Sequence, residues 1–229
     1  LIREIDLAVE NEKSIAKIAT CSRMVCVRTI KIPVCSSTQD VAKELAEKGT
    51  EDMTVIVAED QTAGRGRQGK TWASSVGGLW TTIVLRREVS LELVPYIALA
   101  SGLAIKKALL ERVGINATIK YPNDLLFDCN GEWKKLCGIL CQSSIVSGQL
   151  RYVLIGVGLN VNNKTPSYAI SLKQITGKEH DLDSMAKIVS EAVSFGTLKL
   201  VEHGKTKVIK DLFNDGAIEM PLDNIFENE

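Results

Sequence analysis

The chain has no excess of either charge: 28 Lys and Arg balance 28 Asp and Glu over 229 residues. A neutral chain with a pI near 6.9 offers no general basic field for nucleic acid and no polybasic tail for a membrane surface. It has no run of 18 consecutive apolar residues, so no membrane span is expected. It does not start like a signal peptide, because Leu1-Ile2-Arg3-Glu4-Ile5-Asp6 mixes charged and apolar side chains. An initial Met is also missing, which reads as a trimmed or excised chain. Six cysteines are present (Cys21, Cys26, Cys35, Cys129, Cys137 and Cys141), but none forms a C-x-x-C pair, and the two histidines, His180 and His203, lie far from them. Zinc would need another arrangement. Free, buried thiols in a reducing compartment are the plainer reading, with the cytoplasm as the default location. No internal repeat and no low-complexity segment stands out.

Apolar residues make up 45% and charged residues 24%, a composition that suits one moderate globular domain. Residues about 4–20 have helical apolar spacing. Val25 to Val34 alternates and reads as a strand. Ser37 and Asp40 form an approximate capping box for a helix through Val41, Ala42, Leu45 and Ala46, which Gly49 stops. Thr54–Ala58 and Thr81–Leu85 read as strands. A long helix is predicted from about Pro95, at its first turn, to Gly114. Thr118–Tyr121 is a short strand closed by Pro122, and Asp128–Gly131 is a turn. Two strands follow, about 136–143 and 150–157, joined by a hairpin at Ser147-Gly148. A last helix covers roughly 182–201, with Gly196 as a weak point. Strands in runs, rather than strict βαβ alternation, predict an α+β domain with a mixed sheet.

The densest motif is Asp60-Gln61-Thr62-Ala63-Gly64-Arg65-Gly66-Arg67-Gln68-Gly69-Lys70-Thr71-Trp72. It satisfies both the P-loop pattern G-x-x-x-x-G-K-[ST] and the dinucleotide-turn pattern G-x-G-x-x-G. Both need a helix to begin where the loop ends, because the phosphates sit on that helix N-terminus. Here Gly77-Gly78 and the strand-like Trp80–Leu85 follow instead, so both readings fail on context. What remains is a glycine loop between strands. Gly64, Gly66 and Gly69 permit positive φ and close approach of the backbone. Arg65 and Arg67 supply forked donors suited to carboxylate and phosphate.

Taken together, five blocks resemble the catalytic domain of biotin–protein ligases, over roughly residues 30–202. They are Ser36-Ser37-Thr38-Gln39-Asp40, Gln61 through Trp72, Lys120-Tyr121-Pro122-Asn123-Asp124, Lys135-Leu136-Cys137-Gly138-Ile139-Leu140, and Gly156-Val157-Gly158-Leu159-Asn160-Val161-Asn162. Ala169–Leu172 also resembles the family's segment before its final helix. Gln39 departs from the commoner Asn. The resemblance implies a fold like that of class II aminoacyl-tRNA synthetases and biotin–lipoate ligases, a mixed β-sheet with helices packed mainly on one face. It implies that biotin is bound by Ser37, Thr38, Gln39, Gln61, Gly64, Arg65, Gly66, Arg67, Lys120 and Gly138. ATP would be bound by Arg67, Trp72, Asn123 and Asn160, and Lys120, Arg65 and Arg67 would act in catalysis. Asp124 is the candidate for Mg²⁺ and for a general base, while Lys70 and Thr71 are expected to be secondary.

The implied function is ATP-dependent formation of biotinyl-5′-AMP, followed by transfer to a lysine of a biotin carboxyl carrier protein domain. A lipoate or octanoate ligase or transferase is the nearest alternative, and a biotin-responsive regulator a more distant one. Residues 1–203 are expected to form the catalytic domain. Residues 1–30 are too few for a helix-turn-helix, so no DNA partner is expected, and neither is a membrane. Residues 204–229 would be a short tail in place of the SH3-like barrel of many relatives. A homodimer is left open.

Overall fold

The computed structural model describes residues 28–214. The helical pattern expected at 4–20 lies outside them. Seven strands form one mixed sheet in the order β1-β2-β3-β7-β6-β5-β4. These are β1 Thr29–Cys35, β2 Thr54–Gln61, β3 Leu79–Leu85, β4 Thr118–Lys120, β5 Asp124–Cys129, β6 Glu132–Val146 and β7 Gln149–Leu159. Only β1 and β2 run parallel; every other neighbouring pair is antiparallel. The sequence pattern missed β5, whose Asp124-Leu125-Leu126-Phe127 follows the Pro122 turn almost at once.

The period of two decides what each face does. Along β7, Val153, Ile155, Val157 and Leu159 join the larger core. On the other face Tyr152 and Leu154 join a smaller core, and the next two positions are Gly156 and Gly158. The larger core is roofed by α2 (Ile97–Val113) and α4 (Leu182–Asn214). Helix α1 (Thr38–Glu47) covers the opposite face over β1 to β3 through Ala42 and Ala46. Beyond α1 that face presents glycine rather than side chains, and a cavity opens there. The short helix α3 (Leu172–Thr176) starts with a complete capping box between Ser171 and Gln174.

Several local expectations change. Pro95 lies inside a 3-10 turn, Leu91–Tyr96, and α2 begins after it. The segment Leu91–Val113 is long and apolar enough to cross a membrane by length and composition, but 61% of its most apolar window is buried in the fold. Ser37 caps α1 by accepting from the Gln39 N–H, while Asp40 binds the Ser36 hydroxyl instead of closing the box. Helix α4 passes Val201 and is broken at Gly204 (φ +69°). Gly196 is no weak point: a Cβ there would lie 2.6 Å from the Ala100 carbonyl oxygen. Its lack of a side chain lets α4 rest directly on α2. Adding one would force the helices apart at a cost of about 1–3 kcal/mol.

Candidate active site

The loop after β2 does not lead into an α-helix. Arg67–Gly69 forms a single 3-10 turn, Arg65 bridges Thr71 as in a short antiparallel ladder, and the next element is β3. The P-loop match is therefore a coincidence of glycine spacing. Of its three glycines only Gly69 has positive φ (+74°), and the non-glycine Gln68 shares the left-handed region (φ 55°). Gly64 serves close approach instead, since a Cβ there would collide with the Ser74 hydroxyl and the Trp72 carbonyl.

The loop walls a cavity of about 420 Å³ over the glycine face of β6 and β7. Among the residues expected from sequence, Ser37, Thr38, Gln39, Gln61, Arg65, Gly66, Arg67, Trp72, Asn123, Asp124, Gly138 and Asn160 line it. Gly64 and Lys120 do not; Lys120 ends β4 with its side chain exposed. Lys135, near the start of β6, occupies the wall instead. Its ammonium lies 2.7 Å from Asp124 Oδ2 and 4.9 Å from the centre of a Trp72 ring. Lys135 was visible in the Lys-x-x-Gly-Ile-Leu block, but periodicity alone could not show that β5 and β6 pair so as to bring Asp124 beside it. Gly156, Gly158 and Tyr168 also line the cavity without having been singled out for it. The signal of the two glycines was their alternation on one face of β7; Tyr168, in the loop before α3, carried none. Lys70 and Thr71 line this cavity and a second of about 380 Å³ across the loop.

One end of the cavity is a buried polar relay. Gln61 Oε1 accepts from the Thr38 N–H (2.8 Å) and hydroxyl (3.2 Å), and Gln61 Nε2 donates to Ser74 Oγ (2.7 Å). Thr38 Oγ1 in turn meets Thr82 Oγ1 at 2.8 Å. Gln39 is 4% exposed. Its Nε2 donates to the Leu140 carbonyl at 2.9 Å, and only the nitrogen can do so, which fixes the amide orientation. Its Oε1 is then left buried without a partner. Gly156 makes room for this amide, because a Cβ would collide with Nε2. The longer Gln is thus accommodated by the glycine opposite.

The charge along the cavity wall is positive. Arg65, Arg67, Lys70 and Lys135 line the cavity against the single carboxylate of Asp124. Besides Lys135, two of these cations are held by the protein: Arg65 pairs with Asp40 at 2.7 Å, and Arg67 donates to Asn123 Oδ1 at 2.8 Å. The two contacts fasten the loop to α1 on one side and to the β4–β5 turn on the other. The Trp72 indole lies on the backbone of β6 and β7. A Cβ at Gly138 or Gly158 would come within 2.6 Å of it, and its buried Nε1–H has no partner. Asp124 has both oxygens engaged, Oδ1 by Asn123 Nδ2 and Oδ2 by Lys135. It is built to orient Lys135 rather than to stand free as a base. Asn160 likewise spends its amide on the protein, with Nδ2 donating to the Lys135 carbonyl and Oδ1 accepting from Asn163. No group of three or more His, Cys, Asp or Glu gathers into a metal site among the described residues.

Cys35, Cys129, Cys137 and Cys141 are free. Burial pushes the Cys35 thiol up to about 11, helped by Asp40 and Asp60, and pushes Cys141 to about 12. Burial raises Cys137 further still, with Asp124 adding to it. A neutral thiol is a poor nucleophile.

Residues 32–160 match the family described as biotin/lipoate A/B protein ligase. The bifunctional ligase/repressor of Bacillus subtilis is 40% identical over 143 residues, covering 62% of this chain and 43% of that protein. The biotin–[acetyl-CoA-carboxylase] ligase of Mycobacterium tuberculosis is 33% identical over 134 residues, covering 55% of this chain and 46% of its own. The chain thus spans about half the length of these curated relatives. Among solved structures, the Aquifex aeolicus biotin protein ligase in complex with biotin and ATP superimposes with a TM-score of 0.64 at 31% identity. That match covers 77% of this chain and 72% of the other.

Proposed function

Because the chain belongs to the biotin/lipoate A/B protein ligase family, we propose that it activates biotin with ATP as biotinyl-5′-AMP and transfers it to a lysine of a biotin carboxyl carrier domain. The observation that favours biotin over a lipoyl or octanoyl substrate is the orphan Gln39 Oε1. A buried acceptor without a donor costs about 1–3 kcal/mol. A ureido ring brings N–H donors to it, whereas a dithiolane or a plain acyl chain brings none. The polar relay of Thr38 and Gln61 surrounds the same end, and we place the ring there. In this pose the carboxylate points along the cavity toward the cationic side chains.

In the first step a biotin carboxylate oxygen attacks the α-phosphorus of ATP, and the bond to the pyrophosphate oxygen breaks. Two anions must meet, and the cationic wall offsets their repulsion and fixes their line of approach. Arg65 and Arg67 would release Asp40 and Asn123 to take up carboxylate and phosphate. In this reading Lys135, oriented by Asp124, takes the part that the Lys-Tyr-Pro-Asn-Asp block would give to Lys120. In the second step the acceptor amine attacks the acyl carbon and AMP leaves. Mg²⁺, if it accompanies ATP, would be held chiefly by phosphate oxygens and would offset their charge. The described residues offer it no cage, and Asp124 is already committed to Lys135. We place the catalytic unit within residues 1–203, and the free thiols suit a reducing compartment such as the cytoplasm. The test is ATP–pyrophosphate exchange with biotin, lipoate or octanoate as the acid. Exchange with biotin alone supports the reading, and exchange with lipoate but not biotin overturns it.

A further inference from the structure

Asn163 does not line the cavity, yet it is 5% exposed and every polar atom of its side chain is used. Its Oδ1 accepts from the Val161 N–H at 3.1 Å. Its Nδ2 donates to Asn160 Oδ1 at 3.0 Å and to the Lys164 carbonyl at 3.3 Å. The Asn160 bond leaves that amide one orientation. With Oδ1 facing a donor, Asn160 Nδ2 must face the Lys135 carbonyl, which it does at 3.2 Å. The same Lys135 backbone is also held by Tyr168, whose carbonyl accepts its N–H at 2.9 Å, and by the Ile170 N–H at 3.0 Å. The segment carrying Asn163 is itself anchored to the exit of the glycine loop: Asn162 N–H donates to Gly77 O at 2.7 Å, and Gly77 (φ +96°) packs on the Asn162–Asn163 backbone. The backbone at Asn162 and Asn163 thus meets the exit of the loop, and the buried Asn163 side chain reaches the backbone of the lysine in the wall through Asn160.

We propose that Asn163 is a positioning residue for Lys135, acting through the amide orientation of Asn160. This rests on the reading of Lys135 under Proposed function. A plain turn-capping role would need only the Oδ1 bond to Val161, which Asp could also make. A positioning role needs the Nδ2 donor. In Asn163→Asp an acceptor would face Asn160 Oδ1, and Asn160 would have to turn its own oxygen toward the Lys135 carbonyl. Asn163→Ala removes both bonds and adds no charge.

The experiment compares wild type, Asn163→Ala, Asn163→Asp, Asn160→Ala and the Asn160→Ala/Asn163→Ala pair in biotin-dependent ATP–pyrophosphate exchange. Melting temperatures are measured alongside. The expected result is a kcat lowered about tenfold in both Asn163 variants, the scale that a small misplacement of a catalytic group costs, with the KM for biotin unchanged. In the Asn160→Ala background Asn163→Ala should cost no further kcat. Additive losses, or an Asn163→Asp enzyme with wild-type kcat, would overturn the inference. A second readout does not depend on turnover: the rate at which an amine-acylating reagent labels Lys135, followed by peptide mass. It should change severalfold in Asn163→Ala, and an unchanged rate contradicts the inference. If wild type shows no biotin-dependent exchange, the functional reading fails, and the labelling rate still decides the role of Asn163.

Discussion

Replacing Gln39 with Met should separate ligand recognition from fold stability. The side chains are similar in length and flexibility, so the gap beside Gly156 stays filled. In the unliganded protein the change removes one hydrogen bond, Nε2 to the Leu140 carbonyl, a loss of about 1 kcal/mol. It also removes the buried orphan Oε1, which costs the folded state about 1–3 kcal/mol. The two effects oppose each other, so the melting temperature should move by only a few degrees, at about 2–4 °C per kcal/mol for a domain of this size. With biotin bound the balance differs, because Oε1 then has its donor. The variant should lose about 1.5–3 kcal/mol of binding, or roughly 10- to 150-fold in Kd. Titration calorimetry with biotin, beside thermal melts without it, measures both. A melting temperature lowered by 10 °C or so with an unchanged Kd would mean that Gln39 only props the sheet, and the assignment of the ring end of the cavity would fall.

Other consequences follow from the same geometry. Lys135→Ala should slow biotin-dependent ATP–pyrophosphate exchange by about 10²–10³-fold, the usual loss on removing one group that stabilises developing charge. Lys120→Ala, at an exposed site outside the cavity, should cost less than about threefold; parity between the two variants would refute the placement of Lys135. Gly158→Ala puts a methyl group against the Trp72 indole, at about 1–3 kcal/mol, and limited proteolysis should then cut the 62–76 loop faster than in wild type. Raised thiol values mean that the fold prefers neutral Cys35 and Cys141. Their contribution is complete below the ordinary thiol value near 9, and is lost as pH rises through about 11 and 12. Melting temperature should therefore fall between pH 9 and 11, and less steeply in Cys35→Ala.

The strands of the larger core were legible because β-branching marks single segments such as Thr54–Ala58. β5 was not, since its residues follow a proline turn and carry no clean alternation. At the site, the short-range signals were readable: the Ser37 cap, the glycine loop, and the failure of its P-loop match. Which of two lysines lines the cavity was not readable. Lys120 and Lys135 each head a motif, and only the pairing of β4, β5 and β6 puts one in the wall and the other outside it. The function of Gly156 was hidden for a similar reason. It makes room for the amide of Gln39, more than a hundred residues earlier in the chain.

The most direct measurement incubates the protein with biotin, ATP, Mg²⁺ and a biotin carboxyl carrier domain and reads the intact mass of the acceptor. The account predicts a gain of one biotinyl group on a single lysine, dependent on ATP and accompanied by AMP. An acceptor of unchanged mass in the presence of folded protein, or one that gains a lipoyl group in preference to a biotinyl group, would contradict it.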